Sequence, residues 1–204
     1  MDDRIVNGVS GVILAGGKSR RYGKNKALVN IDGIPLIQRV LRVMETLFPS
    51  VALITNTPET YAFLNIPMHE DIIKGLGPLG GIFTGLRVIP ENAGFFVACD
   101  MPSLNSDLIR YLASLRKNFD VVVPNISEQF EALHALYTKN CLPEIEQLIH
   151  SGAYQTIRLF QHVSVRYVKE VEIRRFDPEL RSFSNINRPG EFHKFLVSFT
   201  TNQK

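Results

Sequence analysis

Val12-Ile13-Leu14-Ala15-Gly16-Gly17-Lys18-Ser19-Arg20-Arg21-Tyr22-Gly23-Lys24-Asn25-Lys26 is the stretch from which the fold can be read. A short apolar run, long enough for one buried strand, stops at a double glycine and is followed by five cations within nine residues. Glycine at 16 and 17 lets the backbone turn freely and brings its N–H groups close to a ligand with no Cβ in the way. Lys18, Arg20, Arg21, Lys24 and Lys26 repel one another unless they fan into water or surround an anion, and a polyphosphate satisfies all five. The stretch therefore reads as a strand ending in an anion cradle. It is neither of two familiar phosphate loops. Gly17 and Gly23 have five residues between them and Lys24 is followed by Asn25, so the P-loop spacing fails. Positions two beyond Gly16 and Gly17 are Lys18 and Ser19, so the dinucleotide fingerprint fails too.

Outward from that loop the chain alternates. Leu36, Ile37, Val40, Leu41, Met44 and Leu47 form an apolar stripe at helical spacing, with Pro35 suited to the first turn. Val51 to Thr55 reads as a second buried strand, so Asn56 stands at its carboxyl end. A short helix over 59–64 leads to a third strand near Met68-His69-Glu70, with Asp71 at its exit. Gly75-Leu76-Gly77-Pro78-Leu79-Gly80-Gly81 lets the backbone come close to a ligand and opens a helix running to about Val88. Ala93 to Cys99 is the most hydrophobic strand candidate, and Asp100-Met101-Pro102 follows at once. A helix over 105–117 and a strand from Asp120 to Pro124 complete a β/α alternation that predicts a parallel sheet with right-handed crossovers. Beyond Pro124 the pattern loosens. Strands are expected over 132–137 and 163–168, helices over 142–149 and 153–160, and a strand at Phe183-Ser184-Asn185-Ile186-Asn187 leading into a helix from Glu191. The whole is expected to be a Rossmann-like three-layer α/β/α sandwich, mainly parallel, with a small antiparallel extension in the second half.

The bulk properties narrow the function. The 204 residues suit one domain over 1–204, since a chain this long buries about 70% of its unfolded surface. A hydrophobic content of 45% with 21% charged residues is that of a globular protein and excludes disorder. The net charge of +3 is too small to imply a nucleic-acid partner, and Tyr22 is the one aromatic within the basic loop. Cys99 and Cys141 lie far apart with no Cys-x-x-Cys spacing, so neither a zinc knuckle nor a redox pair is indicated. His69, His134, His150, His162 and His193 show no metal-ligand spacing, and no Ser-His-Asp or Cys-His set stands out. Phe95-Phe96 reads as core. No run of eighteen apolar residues occurs and Met1-Asp2-Asp3-Arg4 opens no signal sequence, so the expectation is a cytoplasmic protein without a membrane partner.

Ligands of open α/β sheets sit beyond the carboxyl ends of the strands. The basic loop, Asn56, Asp71 and Asp100 all occupy such ends and are expected to share one crevice. Cations and N–H groups suit phosphates, an amide and a carboxylate suit a base or sugar, and Asp100 suits Mg²⁺, which takes one or two carboxylates plus phosphate oxygens. A nucleoside triphosphate fits that set. Taken alone, Asp100 also fits a helix N-cap.

With these residues in place, Leu14-Ala15-Gly16-Gly17-Lys18-Ser19-Arg20-Arg21-x-Gly23 with Lys26 resembles the signature of nucleotidyltransferases related to the sugar-nucleotide pyrophosphorylases. Together with Glu70-Asp71, Gly77-Pro78-Leu79-Gly80-Gly81, Cys99-Asp100-Met101-Pro102 and Asn185-Ile186-Asn187-Arg188-Pro189, the chain is most similar to the molybdenum cofactor guanylyltransferases. The likeness runs from about Gly11 to Phe192. It implies nucleotide contacts at Leu14, Ala15, Gly16, Gly17 and Gly80, a phosphate contact at Lys26, and guanosine contacts at Asn56 and Asp71. It further implies Mg²⁺ and nucleotide at Asp100, and acceptor contacts at Asn185 and Asn187. Residues of about 11–124 would form a nucleotide-binding half and those of about 125–197 an acceptor half.

The resemblance implies transfer of GMP from GTP to the phosphate of molybdopterin, with Arg20, Lys26 and Asp100 as catalytic residues and proteins of molybdenum cofactor biosynthesis as possible partners. The chain departs from the usual pattern at Tyr22 and Asn25, where Met and Asp are common, and at Arg188-Pro189-Gly190-Glu191. Asn25 in place of a carboxylate leaves the cations less compensated. Other functions remain open on the residues alone: a cytidylyltransferase or another nucleotidyltransferase of the same fold acting on a sugar or alcohol, and a GTP-binding regulator without catalysis.

Overall fold

The computed structural model describes residues 5–16 and 25–184. Strand β1 (Val9–Leu14) is buried along its whole length. A short hairpin follows, β2 (Asn30–Ile31) and β3 (Ile34–Pro35), turning through Asp32 and Gly33 at φ of 51° and 78°. An Asp-Gly pair with both φ values positive is the turn that matches strand twist, a signal the sequence reading passed over. Helix α1 (Leu36–Leu47) buries the six apolar residues of its stripe, and Pro35 precedes it as the N-cap residue. Strand β4 (Val51–Ile54), a 3₁₀ segment Pro58–Leu64, strand β5 (Met68–His69) and helix α2 (Pro78–Val88) come next. Strand β6 (Ala93–Ala98) precedes helix α3 (Ser106–Ser114), where Asn105 caps the first turn by accepting from the N–H groups of Asp107 and Leu108 at 3.0 and 2.9 Å.

The second half contains β7 (Val121–Ile126), β8 (Gln129–Phe130), β9 (His134–Thr138), α4 (Leu142–His150), α5 (Thr156–Leu159), β10 (Val165–Lys169) and α6 (Glu170–Ile173). Helix α5 is shorter than the expected 153–160 span. The expected strand at 183–187 is corrected in its first part, because Phe183 ends a 3₁₀ turn, Arg181–Phe183. The cause is local: the Asp177 carboxylate accepts from the N–H groups of Arg181 and Ser182 at 3.0 and 2.8 Å, and Leu180 takes a left-handed conformation. Those bonds hold the backbone in a turn that a sheet ladder could not use.

One sheet of order β10-β7-β9-β6-β1-β4-β5 collects strands from both halves, with β8 attached to β7. β5, β4, β1 and β6 run parallel, and β10 is parallel to β7. The antiparallel part is internal, since β9 lies between β6 and β7 and opposes both. β7 therefore keeps the direction of β6 without touching it. Side chains alternate along β1: Val9 and Ile13 join a core with α1, α3 and α6, while Val12 and Leu14 join a second core with α2, α4 and α5. Burial on both faces explains the unbroken apolar reading of these strands.

Helix α2 approaches the sheet through its glycines. A Cβ on Gly85 would lie 2.5 Å from Cε1 of Phe96, whose ring also packs edge-on to Tyr137 at 5.4 Å. With that ring hemmed in, Gly85→Ala is expected to destabilise the fold by about 1–3 kcal/mol through overpacking, against at most about 1 kcal/mol gained in helix propensity. Urea unfolding of the two proteins checks this, and an unchanged or raised midpoint contradicts it.

Candidate nucleotide site

The parallel register aligns the carboxyl ends of four strands. Leu14 pairs with Ile54 on one side and Ala98 on the other, and Ile54 pairs with His69. The ladder continues one residue further: Ala15 donates to the Ile54 carbonyl at 2.9 Å, Cys99 to that of Leu14 at 3.1 Å, and Thr55 to that of His69 at 2.9 Å. Only then do the chains part. Asp71, Asn56, Gly16 and Asp100 thus stand in that order along one edge. Three strand spacings, roughly 14 Å, separate the first from the last.

At one end, Asn56 and Asp71 bind each other twice. The Asn56 amide donates to Asp71 Oδ2 at 2.6 Å, and the Asp71 backbone N–H donates to Asn56 Oδ1 at 3.1 Å. This exchange fixes the orientation of the amide and leaves the second carboxylate oxygen as an acceptor. The loop after Asp71 is tied to α2, where the buried Thr84 hydroxyl accepts from the Ile72 N–H at 3.0 Å. Gly80 lies buried beneath that loop: a Cβ there would meet Leu76 Cβ at 2.9 Å and the Ile73 carbonyl at 3.3 Å. Its small size is what lets the loop fold over the start of α2. Gly16 is different. It is exposed, and a Cβ on it would meet nothing within 4 Å.

At the other end, burial pushes the Asp100 carboxyl above the usual carboxylate range, and the nearby Lys26 ammonium pulls in the opposite direction. Lys26 opens a 3₁₀ turn, Lys26–Leu28, capped by Asn25, whose Oδ1 accepts from the Ala27 N–H at 3.1 Å. The Asn25 amide donates in turn to the hydroxyl of Tyr61 at 2.8 Å. In sequence Asn25 stands out only as a missing carboxylate, and nothing there links it to Tyr61. The capping pattern was legible, but the partner 36 residues away was not. Burial also pushes the neighbouring Cys99 thiol up to about 12, so it carries no thiolate near neutral pH.

The structure therefore brings together Leu14, Ala15, Gly16, Lys26, Asn56, Asp71, Gly80 and Asp100. The expectations for Gly17, Arg20, Asn185 and Asn187 concern positions outside the described residues. Among the described residues no group of three or more His, Cys, Asp or Glu could hold a metal ion by itself. A half-buried carboxylate such as Asp100 can supply one ligand to Mg²⁺, an ion that takes one or two carboxylates together with phosphate oxygens. His134 is packed in the core, fully buried between Phe95 at 5.4 Å and Phe183 at 4.8 Å, with burial pushing its pKa down to about 3. No helix among the described residues is long and apolar enough to cross a membrane.

Residues 11–166 match the family model described as a MobA-like NTP transferase domain. The chain belongs to that family. The MobA-like match begins in β1 and ends in β10, so it contains every described site residue. A molybdenum cofactor guanylyltransferase of Desulfosudis oleivorans is 36% identical over 191 residues, covering 93% of this chain and 95% of that protein. Its counterpart in Syntrophotalea carbinolica is 32% identical over 188 residues, covering 91% and 90%. Among solved structures, molybdopterin-guanine dinucleotide biosynthesis protein A of Archaeoglobus fulgidus superposes with a TM-score of 0.80 at 26% identity, covering 94% of this chain and 99% of that one.

The raised pKa of Asp100 has a measurable consequence for this MobA-like chain. The folded state holds that proton more tightly than the unfolded state, so stability falls as pH rises through the ordinary aspartate range, and the loss is complete above the folded value. Without divalent ion, Asp100→Asn is expected to raise the melting temperature at neutral pH and to lose that advantage as pH falls from about 4 to about 3, where aspartate becomes protonated in both states. Thermal melts from pH 3 to pH 8 in chelator decide this. A variant less stable than the parent at neutral pH would contradict it.

Proposed function

We propose that the chain transfers GMP from GTP to the phosphate of molybdopterin, forming the guanine dinucleotide cofactor and pyrophosphate. What carries the reading is the edge on which the Asn56–Asp71 pair, Gly16 and the Lys26–Asp100 pair follow one another, in a chain similar over nearly its whole length to guanylyltransferases. A base at the first end and phosphates at the second would span that edge.

Guanine presents N1–H and an exocyclic amino group side by side, both donors. Asp71 offers carboxylate oxygens held in place by Asn56, an arrangement suited to those donors; cytosine would supply a single exocyclic donor. Gly16 leaves room for the nucleotide at the tip of β1. Lys26 lies against the phosphates and offsets the charge that grows on departing pyrophosphate, with Arg20 assigned the same task. Asn185 and Asn187 are assigned to the acceptor.

The acceptor phosphate has a second pKa near ~6 and is largely dianionic at neutral pH, so it needs no general base. One of its oxygens attacks the α-phosphorus of GTP, and the bond from that phosphorus to the oxygen bridging it to the β-phosphate breaks as pyrophosphate leaves. The work left to the protein is alignment and neutralisation, which agrees with a site of cations and carboxylates without a nucleophilic side chain. Asp100 would hold Mg²⁺, which when bound neutralises phosphate charge.

Pyrophosphate release from GTP and molybdopterin tests the proposal. Turnover is expected to need Mg²⁺, to stop with chelator, and to fall roughly 10²-fold or more in Asp100→Ala and in Lys26→Ala. Full turnover in either variant removes that residue from the mechanism. Protection of the fold by GTP but not CTP is expected; equal protection would assign the base specificity elsewhere. Tight GTP binding without pyrophosphate release would identify a regulator.

A further inference from the structure

Between β4 and β5 the chain makes the 3₁₀ segment Pro58–Leu64, and Tyr61 within it is only 3% exposed. Its hydroxyl reaches across the α1 face of the sheet to accept the hydrogen bond from Asn25 at 2.8 Å. Asn25 uses its other amide atom, Oδ1, to cap the turn that begins at Lys26. Both functions of one planar amide are thus engaged, and neither can rotate without breaking the other. The backbone of Lys26 is fixed from two directions: through the cap to its own turn, and through Tyr61 to the crossover that carries Asn56 before it and Asp71 after it.

We infer that Tyr61 is a positioning residue, its hydrogen bond to Asn25 holding Lys26 in place against the phosphates and Asp100. This rests on the reading of Lys26 as a phosphate contact. The chemistry of the pair supports a mechanical role over a titrating one. Tyr61 is buried and its hydroxyl stays protonated well above neutral pH. Asparagine can accept from Ala27 and donate to Tyr61 at once, whereas serine is too short to do both and leucine can do neither. The contact links the part of the site assigned to the base with the part assigned to the phosphates, so a nucleotide seated at Asn56–Asp71 meets a lysine already aligned. Pre-alignment of this kind lowers the barrier without touching the reacting atoms.

The test is a kinetic cycle. Tyr61→Phe keeps the ring and removes only the hydroxyl; the freed Asn25 amide is exposed to water, so the melting temperature is expected to stay near that of the parent. The expected loss is roughly five- to tenfold in kcat, the worth of one hydrogen bond, with a smaller change in KM for GTP. Asn25→Asp, which can still cap Ala27 and accept from the Tyr61 hydroxyl, is expected to retain most of kcat. In a Lys26→Ala background, Tyr61→Phe is expected to cost nothing further, because the lysine through which it acts is gone.

An unchanged kcat in Tyr61→Phe overturns the inference, as does a full additional loss on top of Lys26→Ala. Those outcomes leave the assignment of Lys26 standing. Full activity in Lys26→Ala alone removes the lysine from the chemistry and overturns both.

Discussion

Parallel pairing of β1 with β4 on one side and β6 on the other is the constraint on which the site depends. Because the three strands share a level register, their ladders run out together one residue beyond Leu14, Ile54 and Ala98. Each chain then diverges with a candidate site residue, Gly16, Asn56 or Asp100, at its first free position. No contact between those side chains is needed to assemble the row, because backbone hydrogen bonds and the strand spacing set it. A slip by one residue in any strand would invert its buried and exposed faces and also misplace its terminal residue. Fold specificity and site geometry are therefore guarded by the same hydrophobic alternation, Val9 and Ile13 to one core, Val12 and Leu14 to the other.

On that frame the electrostatics are deliberately unfavourable in one place. Asp100 is removed from water far enough to raise its pKa, and Lys26 compensates only in part. A carboxylate so placed costs stability in the isolated protein, and under the proposed function it gains most when a cation arrives with the nucleotide, a common trade at functional sites. The Asn56–Asp71 pair follows the opposite logic. It lies at the surface, its hydrogen bonds are already made, and it supplies orientation in place of stored strain. The end proposed for the base holds its shape and the end proposed for the phosphates carries the uncompensated charge, a contrast that suits a substrate whose two ends differ in the same way.

The second half of the chain prepares the ground beside Asp100. β9 enters the sheet next to β6, and His134 at its start is covered by Phe183. The segment bearing Phe183 is tied to the start of α3: the Asn105 N–H donates to the Ser182 hydroxyl at 3.1 Å and the Asn105 amide to the Phe176 carbonyl at 2.9 Å. Asn105 thus caps its own helix and anchors a strap some 70 residues distant, so the chain reaches residue 184 close to the helix that follows Asp100. A polar cap with spare donors does two jobs in a space where an apolar residue could do neither.

Much of this was legible in the residues. Unbroken apolar runs between glycines and prolines mark the strands, helical spacing marks α1, and the β/α alternation implies parallel pairing, which places Gly16, Asn56, Asp71 and Asp100 at strand ends. These features are local, or follow from the handedness of βαβ units, so sequence carries them. What sequence could not carry was pairing across distance. That β9 sits inside the sheet, that Asn25 meets Tyr61, that Asp177 bends 181–183 into a turn, and that Gly80 is required by a loop folding above it all arise from contacts between segments with no common periodicity. The residue types on one strand end are written in the chain; which strand stands next to it is decided only when the two hydrophobic faces are closed at once, and that closure is a property of the assembled layers.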